Sequence, residues 1–104
     1  MIYHVTSKPQ WLQALAQGYY EAPSLALEGF IHLSEKEQVQ GVLERYYQQQ
    51  TNLVLLHIDT TKLTMPLKYE IATSVNEAFP HLYGRLNVEA VVDMYNFCKS
   101  AYKN

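Results

Sequence analysis

Apolar and polar positions along the chain change period several times, and each change predicts an element. Ile2-Tyr3-His4-Val5 alternates and carries β-branched residues, which predicts an opening strand over 1–5 with Tyr3 and Val5 on one face and His4 on the other. Ser7 followed by Pro9 and Gln10 is a helix-start signal, and Trp11, Leu12 and Leu15 then form an apolar stripe that stops at Gly18. Between Glu21 and Glu28 no period persists, and Pro23 and Ser24 predict a loop with one helical turn, placed to act as a lid. Gly29-Phe30-Ile31-His32-Leu33 reads as a buried strand. Ser34 and Glu37 have the spacing of a capping box, so a second helix is expected to start at once. Val39, Val42, Leu43, Tyr46 and Tyr47 recur at helical spacing, with an exit near Gln48 to Gln50.

The run Leu53-Val54-Leu55-Leu56-His57-Ile58 is apolar at nearly every position, the pattern of a central strand buried on both faces. Leu67 to Ala72 and Val88 to Met94 are further strands, and Phe79-Pro80-His81-Leu82-Tyr83-Gly84 between them reads as a loop. Strands outnumber helices, and the later strands leave no room for crossover helices. The pattern therefore predicts one α+β domain over 1–104 with largely antiparallel pairing and two main helices.

Composition adjusts this picture in a few places. With 104 residues and 48% hydrophobic content the chain can fold around one core without a disulfide or structural metal. Eight basic and ten acidic residues give a charge of −2, and no cluster of lysine and arginine exists to neutralise a run of phosphates, which argues against a nucleic-acid partner. The single cysteine, Cys98, permits no internal disulfide, and no apolar stretch approaches the ~20 residues that span a bilayer; a cytoplasmic protein off the membrane is expected. Nine tyrosines, each an apolar ring with a polar tip, suit a wet groove or an interface.

Chemistry falls on the histidines and their neighbours. His4 beside Thr6 can hydrogen-bond a ligand hydroxyl or be an ordinary strand histidine. His32 interrupts an apolar strand just before a helix N-terminus, where a buried imidazole needs a partner and an anion is favoured; Ser34 there either caps the helix or meets the ligand. His81 and Tyr83, two apart between Pro80 and Gly84, project from a binding loop or anchor a rigid turn. Glu70 is a carboxylate able to face a ribose or to pair with Lys68, and His57 is expected to be structural. No metal-ligand spacing, GxSxG, Walker loop or GxGxxG occurs.

Taken together, Ile2-Tyr3-His4-Val5-Thr6, Trp11, Gly29-Phe30-Ile31-His32-Leu33-Ser34, Gln38, Glu70 and Phe79-Pro80-His81-Leu82-Tyr83-Gly84 resemble the domain-of-unknown-function family 952 (DUF952) over nearly the whole chain. That family is grouped with the ADP-ribosyltransferase-like superfamily, whose split antiparallel sheet binds NAD in a cleft. The resemblance implies catalytic roles for His4 on the ribose, His32 beside the nicotinamide and Glu70 on the ribose during transfer, with Thr6, Ser34, His81 and Tyr83 as ligand-binding residues. It implies NAD as a substrate and no metal. The expected function is thus binding of NAD or a related nucleotide with transfer or hydrolysis of its ADP-ribosyl group. The alternatives are a noncatalytic module for a nucleotide-like or anionic metabolite and a small protein-interaction domain with a tyrosine-rich face.

Overall fold

The computed structural model describes residues 1–48 and 50–97, so Cys98 lies outside the described residues. Strand β1, Ile2–Ser7, hands the chain directly to helix α1, Lys8–Gln17. The hand-over is local chemistry: the Ser7 hydroxyl accepts from the Gln10 N–H at 3.3 Å, and Pro9 occupies the first turn, where no N–H is required. Gly18 ends the helix at φ 93°, a left-handed conformation that glycine adopts without a Cβ penalty, and its N–H returns to the Ala14 carbonyl. The buried face is narrower than the sequence suggested: Trp11 and Ala14 are covered, whereas Leu12 and Leu15 are half exposed.

Strand β2, Tyr19–Tyr20, follows, and then helix α2, Pro23–Glu28, fills the segment expected to be a loop. It ends at Gly29 with φ 90°. Strand β3 is only Ile31–His32. A 3-10 turn, Lys36–Gln38, then runs into helix α3, Val39–Tyr46, which stops short of the expected exit; Gln49 lies outside the described residues. The cap of this unit is Glu35, not Ser34. Glu35 and Gln38 form the reciprocal capping box, because the Ser34 backbone is already spent on an antiparallel bridge to Tyr3, with both N···O distances 2.8 Å.

Strand β4, Leu53–Ile58, is central in a three-stranded sheet of order β1-β4-β8, as its apolar run required. Val54, Leu56 and Ile58 enter the larger core with Ile2, Trp11, Ile31, Leu33 and Leu82, while Leu53 and Leu55 pack with Val5 under Val39 and Leu43 of α3. Strand β8, Val91–Phe97, forms the far edge; residues Val88–Ala90, expected to open it, make a 3-10 turn. Strand β7, Leu86–Asn87, pairs with β2.

The third sheet has the order β3-β6-β5, with β5 Leu67–Ala72 and β6 Glu77–Leu82. Strand β6 overturns the loop expected at Phe79 to Gly84: Phe79 to Leu82 all pair with β5, His81 and Leu82 pair with β3 as well, and only Tyr83 and Gly84 lie in a bend. Pro80 is tolerated inside this strand because of where it falls. Its carbonyl accepts from the Leu33 N–H at 2.9 Å, but its ring returns no donor, so the β3 ladder ends at His32. The next carbonyl on that edge, Ala78, is taken by the Gln38 side-chain amide at 2.8 Å.

All the strand pairs are antiparallel, and the fold is mixed α+β with two main helices and the short α2. The sheets holding β1 and β3 touch through the Tyr3–Ser34 bridge and diverge beyond it. No helix among the described residues is long and apolar enough to cross a membrane.

Candidate functional site

Where the two sheets diverge, alternation along β1 turns His4 and Thr6 toward the larger core, and both are buried. His4 spans the gap. Its Nδ1–H donates to the His32 carbonyl at 2.7 Å, and its Nε2 meets the Tyr20 hydroxyl at 2.9 Å. A carbonyl only accepts, so Nδ1 carries a proton in either charge state, and the neutral ring takes the Tyr20 proton at Nε2. The Tyr20 hydroxyl is also 3.0 Å from Thr6 Oγ1, which is 2.8 Å from the Gln10 side-chain oxygen. A half-turn of the Gln10 amide lets this chain of donors run toward His4 or away from it.

Burial dominates the electrostatics of this network. It lowers the His4 pKa to about 4, with the carbonyl bond to His32 only partly opposing the shift, and raises the Tyr20 hydroxyl to about 12. His4 is therefore a neutral imidazole at pH 7, with both ring nitrogens held by protein partners.

The front face of the β3-β6-β5 sheet supplies the second group. Phe30, His32, His81 and Tyr83 share it by the two-residue period, with Lys68 and Glu70 from β5. His81 Nδ1 donates to Glu70 Oε1 at 2.7 Å, and the Tyr83 hydroxyl donates to the same oxygen at 2.5 Å. These bonds, Tyr83 first, hold the Glu70 carboxyl below its usual range; the carboxylate in turn raises the Tyr83 pKa. Phe30 stacks on His81 at 4.1 Å with the rings 17° from parallel. His81 is thus clamped by a ring and a carboxylate, and its Nε2 has no hydrogen-bond partner among the described residues. At the outer edge His32 sits edge-on to His81, 5.1 Å between centroids, and its Nε2 is 3.1 Å from Glu28 of α2.

These two groups border one open cleft of about 1070 Å³. Its walls include His4, Thr6, His32, Ser34 and His81 from the two sheets and their bridge, Ser24 and Glu28 from α2, Tyr46 at the end of α3 with Tyr47 after it, and Ala72 at the end of β5 with Thr73 and Ser74 of the turn that follows. Val5 lies on the exposed edge of β1; its carbonyl accepts from the Tyr47 hydroxyl at 3.2 Å, and strand geometry turns its N–H the same way. Five of the residues singled out in the sequence therefore converge on the cleft. Glu70 and Tyr83 do not line it and stand behind His81. Ser34 lines it without a side-chain hydrogen bond among the described residues, its helix-capping role having passed to Glu35.

Tyr20, Gln10, Phe30 and Glu28 belong to the site but were not picked out in the sequence as site residues. The excess of tyrosine was the only signal for Tyr20, and nothing local marks Gln10 as more than a helix-start residue. His57 stays outside, as expected, between the rings of Tyr3 and Tyr95 on the other face of the first sheet; desolvation lowers its pKa, and its Nε2 has no partner among the described residues. No group of three or more metal-binding side chains occurs among the described residues.

Comparison with known proteins agrees with this architecture. The family model described as "Protein of unknown function (DUF952)" matches residues 5–94. The crystal structure of protein CC0527 from Caulobacter crescentus is 38% identical and superposes with a TM-score of 0.82, covering 90% of this chain and 82% of that one. The solution NMR structure of the same Caulobacter crescentus protein is 37% identical with a TM-score of 0.80, covering 93% and 84%. No curated protein matches the chain.

Proposed function

The chain belongs to the DUF952 family, and from the cleft its fold builds we propose that it binds NAD or a related N-glycoside and cleaves the bond between base and ribose, with His81 as general base. One observation carries this reading: His81 is clamped by the Glu70 carboxylate at 2.7 Å and by the stacked Phe30 ring, at the wall of a cleft lined with hydroxyls and rings. A carboxylate bound to one imidazole nitrogen fixes the ring and leaves the other nitrogen to take a proton. In hydrolysis the water oxygen bonds to C1′ of the ribose, and the C1′–N bond breaks with its electron pair passing to the base. Nicotinamide leaves uncharged, and the water's proton goes to His81 Nε2. A hydroxyl acceptor in place of water gives transfer by the same steps.

In this scheme Glu70 acts through His81 and is a positioning residue, while Glu28 is the carboxylate nearest the developing positive charge. His4 and Tyr20 fix the His32 backbone, and Thr6, Ser34 and the Val5 N–H offer polar contacts to sugar and carboxamide. The kinship with ADP-ribosyltransferase-like domains belongs to the same proposal, supported by two antiparallel halves that part around the cleft. A second reading, binding without turnover, is favoured by His4, which has no free ring nitrogen for a substrate.

Incubation with NAD, followed by chromatography for nicotinamide and by thermal shift, separates the two. Release is expected from the native chain, with Glu70→Gln and His81→Ala each slowing it by about 100-fold or more. Stabilisation without release selects the binding module. Release at the native rate by His81→Ala removes the general base.

A further inference from the structure

The charge on the cleft wall narrows the ligand. Glu28 is the only carboxylate among the described residues that line it, and no lysine or arginine does. Of the described cations, Arg45 lies over the Tyr46 ring at 5.7 Å and back along α3 over Gly41, Lys68 lies over Tyr83 at 5.0 Å, and Arg85 pairs with Glu21 at 2.8 Å; Lys8 and Lys36, which follow Ser7 and Ser34 closely in the chain, do not line the cleft. A bound pyrophosphate therefore finds hydroxyls and the imidazoles of His32 and His81, each already paired with a carboxylate, but no guanidinium or ammonium, and losing its hydration there is unfavourable. An aromatic cation meets the opposite situation, with the Glu28 carboxylate, held 3.1 Å from His32 Nε2, at the mouth and the Phe79 ring in the wall. The hydroxyls of Thr6, Ser34 and Thr73 suit the uncharged sugar between.

We infer that the cleft selects an N-ribosylated aromatic cation without phosphate, a nucleoside and not a dinucleotide. This rests on the function proposed above and specifies its substrate class. The test is isothermal titration of the full chain with three probes sharing one base: nicotinamide riboside, its 5′-phosphate, and NAD. Affinity is expected to fall from the riboside to its 5′-phosphate and to NAD, which carry about two phosphate charges each, nicotinamide riboside binding about tenfold or more tighter than either, and Glu28→Gln is expected to weaken the riboside at least threefold. NAD binding as tightly as the riboside, or an unchanged riboside affinity in Glu28→Gln, overturns this selection while leaving glycoside binding intact. No heat with any of the three probes overturns both this selection and the function proposed above.

Discussion

Acidification should cost this protein stability through one imidazole. In the folded chain His4 titrates at about 4, against 6.5 for an unperturbed histidine, because burial penalises its charged form. The folded pKa is depressed below the unfolded one, so between the two values the unfolded chain holds a proton that the folded chain refuses. Stability is then whole above about pH 6.5 and drains away as pH falls toward 4. A shift of this size integrates to about 2 kcal/mol between pH 7 and pH 5, and about 3 kcal/mol by pH 4. His4→Asn keeps a donor for the His32 carbonyl and removes the titration.

The assay is urea unfolding of native chain and variant at several pH values from 7 to 5. Carboxylates and the other histidines contribute alike to both proteins, so the difference in slope isolates His4. The native chain should lose about 2 kcal/mol more than His4→Asn over that interval, whatever the absolute stability of the variant. Parallel slopes would refute the claim that His4 is neutral and desolvated. A protonated ring has one compensation: the chain through Tyr20 and Thr6 to Gln10 can reverse, with Nε2–H donating to Tyr20.

Two further substitutions probe the same elements. Tyr20→Phe removes the hydroxyl that bridges His4 and Thr6, leaving buried polar atoms without a partner, and should cost about 2 kcal/mol in urea unfolding at pH 7; a loss under about 0.5 kcal/mol would mean that water replaces it. Glu35→Ala should destabilise by about 1 kcal/mol as loss of the cap on the 3-10 turn that leads into α3, with Ser34→Ala nearer neutral; the reverse order would return the cap to Ser34.

Much of the frame was legible because it is set by neighbours in the chain. The apolar run of β4 placed it centrally, and Ser7 and Gly18 bounded α1. The expectations that failed turned on distant partners. Ser34 and Glu37 match a capping box, but the Ser34 backbone is drawn off by Tyr3, which lies far back in the sequence. Pro80 and Gly84 read as loop punctuation, yet Pro80 sits in β6, where the Leu33 N–H still reaches its carbonyl and only the return bond is missing. Leu12 and Leu15 follow helical spacing, but the core covers only Trp11 and Ala14 on α1. At the site, histidine is conspicuous, and three of the four border the cleft. The role of Glu70 on a ribose came from the family resemblance, and its pairing with His81 across the β5–β6 hairpin has no local signature.

The bridge between Tyr3 and Ser34 also bears on how durable the opening is. Two sheets joined at one rung could be knitted shut by thermal motion, and the next rung would pair the Val5 and His32 backbones. Both acceptors of that rung are already engaged, the His32 carbonyl by the His4 ring and the Val5 carbonyl by the Tyr47 hydroxyl. Side chains thus occupy the teeth of the zipper, and the aperture stays open for as long as they do.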